Sequence, residues 1–228
     1  SVTAARAAQH GWAKATAYNR GQILYRIAEM LEGRAEQCAA EISTTTAITP
    51  LKAQSMVSEA IDRWVWYAGW SDKLSAVTGA TNPVAGPYYN FTIPEPLGVV
   101  VVTASDSFID FIDAIAAAVV SGNSVIALVD GGLSVPAMTF AEVLATSDLP
   151  AGVINILTGS LDELAPWAAS HMDVDGFDIS AIGKKKRAEL KVAGAENLKR
   201  IYIADGKLTP SRILAFMEQK TVWHTIGV

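Results

Sequence analysis

The sequence has little that would support redox, metal or nucleic-acid chemistry. Its only cysteine, Cys38, cannot form an internal disulfide and is typical of a reducing, cytoplasmic protein. The three histidines, His10, His171 and His224, are too scattered to predict a metal site. A net charge of -5 argues against nucleic acid or an anionic membrane surface as a partner.

Long hydrophobic segments are also lacking. No apolar run approaches the roughly 20 residues that span a bilayer, so a membrane is not an expected partner. The first residues, "SVTAARAAQHGWAK", have no apolar centre of the kind found in a signal peptide. An initial serine fits either removal of methionine or a piece cut from a longer chain. With 228 residues, 50% of them hydrophobic, the chain is long enough for one sizeable core.

The residue pattern predicts three segments within one compact unit. Residues 1–97 are expected to form an N-terminal helical segment and an arm, with one helix over 20–42 and a second over 54–74. Residues 98–207 alternate apolar strands with helices. Residues 208–228 are expected to form a short helix and a tail strand.

The middle segment predicts an α/β fold with a doubly wound parallel sheet. Its Val- and Ile-rich runs are unbroken, which is typical of strands covered on both faces. Strands are predicted over 98–104, 124–129, 152–157, 174–178 and 200–203, with helices over 108–120, 134–146, 161–170 and 184–193.

The first loop of this fold lacks the groups that usually bind a nucleotide. Residues 103–107 read Thr-Ala-Ser-Asp-Ser, with no Gly-x-Gly-x-x-Gly, cysteine, histidine or lysine. Asp106, Asp110 and Asp113 flank the following helix, and we expect them to act at its start, where acidic groups favour the helix dipole. They would also repel a bound pyrophosphate. The one basic run, residues 183–187, is expected to be a solvated helix turn, with an anion or partner contact as the alternative.

Five motifs in order resemble the aldehyde dehydrogenase superfamily: "PLGVVVV", "SGNSVIAL", "LPAGVINILTG", "HMDVDGF" and "NLKRIYI". The resemblance covers nearly the whole chain and implies a Rossmann-like cofactor domain. "YAGWSDK", "AGAENLKRIYI" and "QKTVWHTIG" are most similar to the degenerate second module of the two-module proteins in the sixteenth aldehyde dehydrogenase family.

The resemblance implies chemistry that this chain does not carry. The family uses a cysteine nucleophile, an oxyanion-binding asparagine and a general-base glutamate. No asparagine lies between Thr103 and Phe108, and the stretch after residue 203 reads "ADGK", without a glutamate. The catalytic domain is expected to be missing. The positions that correspond to the family's cofactor-binding residues are degenerate, and they are Asp106, Ser107, Leu128 and Ser180. We therefore expect no cofactor, with NAD as the less favoured alternative.

Two functions remain open. The chain is predicted to be a catalytically inactive pseudoenzyme that serves as a structural or assembly subunit, and Cys38 is expected to be a packed thiol. The alternative is an NAD(P)-binding module that supports oxidoreductase activity only in a larger complex. Its partner would be a second copy, a full-length aldehyde dehydrogenase or another enzyme. The predicted interface residues are Val222, Trp223 and His224 in the tail and Trp64 and Trp70 in the second helix.

Overall fold

The computed structural model describes residues 1–227, which fold into one α/β layer flanked by helices and an arm. The helices are α1 Val2–Lys14, α2 Ala17–Glu32, α3 Ala35–Thr46, α4 Pro50–Ala68, α5 Leu74–Thr78, α6 Phe108–Val120, α7 Ser134–Ala145, α8 Leu161–Ser170, α9 Lys184–Ala195 and α10 Ser211–Leu214. The strands are β1 Ala80–Asn82, β2 Tyr88–Pro96, β3 Val99–Ala104, β4 Ser124–Val129, β5 Ile154–Thr158, β6 Gly176–Asp178, β7 Arg200–Tyr202 and β8 Met217–Thr225.

The predicted parallel sheet is confirmed. Its strand order is β5-β4-β3-β6-β7, and every neighbouring pair is parallel. Alternate residues of β3 and β4 enter two separate apolar clusters. The larger cluster packs under α2, α3, α4, α6 and α7, and the smaller one under α8 and α9. The sheet is therefore wound on both faces, as the unbroken Val and Ile runs predict.

The prediction of one helix over residues 20–42 is wrong. Gly33 ends α2, and Arg34 has a non-helical backbone (φ -115°, ψ 13°) before α3 begins. The break turns α3 so that its buried residues, Cys38, Ala39 and Ile42, reach the larger core cluster. The helical spacing of apolar residues continues across this break, so the spacing does not reveal where α2 ends.

An arm of three antiparallel strands forms the second sheet, in the order β1-β2-β8. The predicted tail strand is confirmed, and it pairs over nine residues with β2 of the same chain, from Tyr88 opposite Thr225 to Pro96 opposite Met217. The tail thus folds back on its own arm. Its other edge has no partner strand within residues 1–227.

The start of α6 corrects the expected role of Asp113. Ser107 is the cap, and its hydroxyl accepts a hydrogen bond from the Asp110 amide at 3.2 Å. Asp113 instead lies buried on the helix and accepts from Arg63 Nη1 at 2.9 Å, while its second oxygen has no hydrogen-bond partner. Burial raises the pKa of Asp113 to about 6, against the opposing effect of Arg63.

This pKa predicts a change in stability with pH that an Asp113→Asn variant should remove. A carboxyl with a raised folded-state pKa contributes stability below its unfolded value near 4. That contribution is lost as the pH rises through about 6. Relative to the variant, the native chain should lose on the order of 1–3 kcal/mol between pH 4 and pH 7. Urea unfolding of both proteins over this range measures the difference, with Asp110→Asn as an exposed control on the same helix. A constant difference between native chain and Asp113→Asn would contradict the assignment.

No helix within residues 1–227 is both long and apolar enough to cross a membrane.

Candidate functional site

A cleft of about 430 Å³ lies at the carboxyl ends of β3 and β6. The chain leaves β3 toward β4 and β5 on one side, then crosses back to β6 and β7 on the other. This reversal is the switch point at which open α/β sheets usually bind ligands. The cleft is lined by residues 103–107 at the end of β3 and in the loop after it, by Asp110 in the first turn of α6, by residues 180–184 and Arg187 around the start of α9, and by Ala204, Gly206 and Arg212.

The floor of the cleft is a buried ion pair between the sheet and the tail. Asp178 ends β6 and is fully buried. Its Oδ2 accepts from Arg212 Nη2 at 2.7 Å and from Arg212 Nε at 3.2 Å. Its Oδ1 accepts from the Ser180 amide at 2.9 Å and from the Ser180 hydroxyl. Every oxygen of this carboxylate is therefore engaged within the chain.

Ser180, predicted as a degenerate cofactor position, has a structural role here. Its hydroxyl donates to Asp178 and accepts from the Ala204 amide at 2.8 Å. Thr103 Oγ1 donates to the Asp178 carbonyl at 3.0 Å and accepts from the Ala181 amide at 3.2 Å. These contacts join the loops after β3, β6 and β7. They leave both hydroxyls occupied by the protein itself.

The charges around the cleft do not favour a pyrophosphate. Arg212 is neutralised by Asp178, and Arg187 donates to the carbonyls of Ser180 and Ile182, at 2.8 Å each. Lys184 remains exposed at the rim, and Asp106 and Asp110 line the opposite side of the cleft. Two residues of the basic run are therefore engaged within the chain. Arg187 binds backbone carbonyls just before α9, and Lys186 pairs with Asp162 at 2.7 Å.

Leu128 lies in the smaller core cluster and is only 3% exposed. An apolar side chain at this position cannot donate a hydrogen bond to a ribose hydroxyl. The polar group at this end of β4 is Asp130, which the sequence reasoning missed. Its Oδ1 accepts from the Gly131 amide at 2.6 Å, and its Oδ2 accepts from the Leu161 amide at 3.0 Å. In the sequence, this turn is indicated by an aspartate that follows a strand and precedes two glycines.

Asp106 and Ser107 also have local roles. Asp106 accepts from the Ser105 hydroxyl at 2.7 Å, and Ser107 caps α6. The cleft lining within residues 1–227 includes no cysteine, histidine, asparagine or glutamate. A dinucleotide pyrophosphate does not fit this lining, because Asp106 and Asp110 contribute carboxylates to it. Its two arginines and the hydroxyls of Thr103 and Ser180 are already engaged within the chain.

Cys38 is fully buried on α3, and no residue of that helix lines the cleft. Burial, with a contribution from Glu41, raises the pKa of its thiol to about 11. The thiol is therefore protonated at neutral pH, which agrees with the prediction of a packed side chain. Among the residues that the structure describes, no group of three or more histidine, cysteine or carboxylate side chains could hold a metal ion.

The predicted interface residues fall into two groups. Trp64 is fully buried and stacks on Phe140 with ring centroids 5.8 Å apart, so its assignment to an interface is wrong and it is a core residue. Trp70 is half-buried against Trp66. The arm carries the exposed group: Trp223 is 60% exposed and packs edge-on against Tyr88, Val222 is half-buried, and His224 is exposed.

Fold and cleft together define a doubly wound α/β domain with a cleft at the switch point of its sheet. A family model described as the aldehyde dehydrogenase family matches residues 1–218. The chain belongs to the aldehyde dehydrogenase family, which confirms the resemblance at that level. The closer likeness to the sixteenth family stays a prediction.

Relatives and solved structures agree with this assignment. An aldehyde dehydrogenase of Emericella nidulans is 28% identical over the whole chain, which spans 46% of that protein. Cytosolic 10-formyltetrahydrofolate dehydrogenase of Mus musculus is 30% identical over 90% of the chain, which spans 23% of it. An NAD-dependent aldehyde dehydrogenase of Sinorhizobium meliloti superposes with a TM-score of 0.80 at 25% identity, over 88% of this chain and 40% of that one. The NAD⁺ complex of a Staphylococcus aureus betaine aldehyde dehydrogenase variant shares the fold, with a TM-score of 0.82 at 21% identity over 89% and 41% of the two chains.

Proposed function

We propose that this chain is a non-catalytic member of the aldehyde dehydrogenase family that acts as a structural or assembly module. The observation that supports the proposal most strongly is the floor of the cleft. Asp178, Ser180 and Arg212 satisfy one another there, and the lining within residues 1–227 offers neither a nucleophile nor a general base of the family's kind. Because function lives in the site and not in the fold, family membership does not restore the chemistry.

The arm supports the proposed role in assembly. It extends Tyr88, Tyr89 and Trp223 into solvent, and aromatic residues of this kind are enriched where proteins bind one another. The resemblance implies the same role, since the corresponding tail of the family takes part in subunit assembly. We therefore propose an oligomer, either of this chain alone or with a full-length aldehyde dehydrogenase or another enzyme.

A chain that ends at Gln219 tests this assembly role. It lacks most of β8, so we expect the particle mass to fall relative to the full chain and capture of the native partner to be lost. Light scattering at equal concentration gives the mass, and native pull-down reports the partner. Circular dichroism and thermal unfolding must first show that the shortened chain keeps its fold. If a folded shortened chain keeps both the mass and the partner, the arm is not the assembly element.

The alternative is an NAD(P)-binding module, and one observation favours it: the cleft lies at the switch point of the sheet. We expect binding to be absent or very weak. Each lost hydrogen bond to a polar or charged ligand costs on the order of 1.5–3 kcal/mol, and two such losses take a micromolar site toward the millimolar range.

Calorimetric titration of the full chain with NAD⁺ and NADP⁺ decides between the two functions. We expect no saturable heat below about 1 mM ligand. A dissociation constant under about 50 µM would favour the alternative, because binding of that strength requires intact contacts to the phosphates or ribose.

A further inference from the structure

A second cavity, of about 610 Å³, lies at the base of the arm, where α1, α2 and α5 meet β2 and β8. Ser121 also lines it, at the end of α6 and just before β4 begins. The cavity is therefore beside the amino ends of the strands, whereas the cleft at the switch point lies at their carboxyl ends. Within residues 1–227 the two linings share no residue.

Arg20 supplies a fixed positive charge to this cavity. Its Nε donates to the Val120 carbonyl at 3.3 Å, and its Nη1 donates to the carbonyls of Ala13 and Ala15 at 3.4 and 2.5 Å. These acceptors are neutral, and in the part of the chain that the structure describes no carboxylate lies within 4.0 Å of the guanidinium. Its Nη2 donates to no acceptor there. One nitrogen of a held, uncompensated cation is thus left for a ligand.

Ser71 contributes an unused hydroxyl. The residue lines the cavity and is only 6% exposed. Its hydroxyl has no hydrogen-bond partner within residues 1–227, yet it is not among the side-chain atoms sealed from solvent. Polar groups buried to this degree normally bind a protein group, water or a ligand, because an unmade hydrogen bond costs free energy. The accessible Ser71 hydroxyl therefore suits a polar ligand group in the cavity.

The charges of the lining favour an anion. Lys14, Arg20 and Lys220 carry three positive charges. Glu95 carries one negative charge and His10 is counted as neutral, so the net charge of the lining is +2. Lys220 pairs with Glu95 at 2.7 Å, which leaves Lys14 and Arg20 as the uncompensated cations. This local charge is opposite in sign to the net charge of -5 of the whole chain.

We propose that this cavity binds the phosphate group of a small phosphate monoester. Such a group carries about -1.5 to -2 charges at pH 7 and three acceptor oxygens. These match the net charge of the lining and its three donors, which are Arg20 Nη2, the Lys14 ammonium and the Ser71 hydroxyl. A carboxylate has one charge and two oxygens and would match them less well. The ester group would lie on the apolar wall that Pro94 and Pro96 form. The proposal is independent of the assembly role.

Calorimetric titration of the full chain with phenyl phosphate and with benzoate tests the ligand class, because the two probes share a ring and differ in the anionic group. Salt at about 0.15 M screens diffuse attraction to the surface. Phenyl phosphate should saturate one site and bind at least about tenfold more tightly than benzoate, because it carries more charge and one more acceptor oxygen. Equal affinity for both probes, or no saturable binding of phenyl phosphate, would overturn the proposal.

Three single variants test the position of the site. Ser71→Ala removes a hydroxyl that binds nothing else in the described chain, so the fold should be kept and the dissociation constant for phenyl phosphate should rise about tenfold. Lys14→Gln removes an exposed cation and should raise it at least about threefold. Lys184→Gln, an equally exposed lysine at the switch-point cleft, is the matched control and should bind like the native chain. Arg20 is left unchanged because it also binds the ends of α1 and α6.

The proposal requires both cavity variants to lose affinity and the Lys184→Gln control to keep it. Loss in the control alone would place the anion in the cleft at the switch point, and loss in none of the three would indicate diffuse binding. Either pattern overturns the proposal, as does loss in only one of the two cavity variants. Circular dichroism of each variant shows that its fold is kept. The assembly role is tested separately, by particle mass and by capture of the native partner.

Discussion

Replacing Arg212 with methionine is expected to lower the free energy of unfolding by about 3–5 kcal/mol. The Asp178 carboxylate is fully buried, and the Arg212 guanidinium is its only cationic partner within the described residues. Removing one member of such a pair leaves an uncompensated charge in the interior, which costs far more than the net value of the pair. Because Arg212 lies on α10, the same change should loosen the tail from the sheet.

Two further variants make this expectation specific. Arg26→Met breaks an exposed pair with Asp148 at 3.2 Å and should cost no more than about 1 kcal/mol. The double variant Asp178→Asn with Arg212→Met removes both charges and should recover a substantial part of the loss. Guanidinium unfolding of the four proteins gives the comparison. If Arg212→Met costs no more than Arg26→Met, the pair does not fasten the tail.

The parallel sheet could be predicted from the sequence because its signal is local. Residues 99–104 and 124–129 are apolar without interruption, and this pattern requires both faces of the sheet to be covered. The tail strand could be predicted in the same way, from the alternation in "TVWHTIGV". The break at Gly33 could not, because α2 and α3 each continue the helical spacing.

The floor of the cleft could not be predicted either. Asp178 and Arg212 lie 34 residues apart, and nothing between them marks a pairing. The sequence predicts only that Ser180 and Leu128 stand at degenerate cofactor positions. In the structure Ser180 binds the chain's own backbone and carboxylate, and Leu128 lies in the core.

The arm shows a different limit of sequence reasoning. Alternation identifies which side chains of β8 share a face, but not which strand lies beside it. That neighbour is β2, over a separation of more than a hundred residues. Trp64 illustrates the same point, since a tryptophan typical of an interface is here a core residue against Phe140.

Absence of aldehyde oxidation is the largest effect that we expect. Enzymes of this kind accelerate their reactions by at least about 10⁶-fold, and the acceleration depends on a nucleophile, an oxyanion donor and a base acting together. The cleft lining within residues 1–227 contains no cysteine, asparagine or glutamate, and Cys38 is a protonated thiol in the core. Residual catalysis from the cleft alone should therefore be undetectable.

The most direct test of the central claim is the formation of NADH or NADPH by the purified full chain, with NAD⁺ or NADP⁺ and a panel of aldehydes. The chain should give a rate equal to that of buffer across the panel, while a functional aldehyde dehydrogenase assayed in parallel gives turnover. Turnover that co-elutes with the chain through two orthogonal columns would contradict the claim. Retention of that turnover in Cys38→Ser would show that a nucleophile other than this thiol is at work.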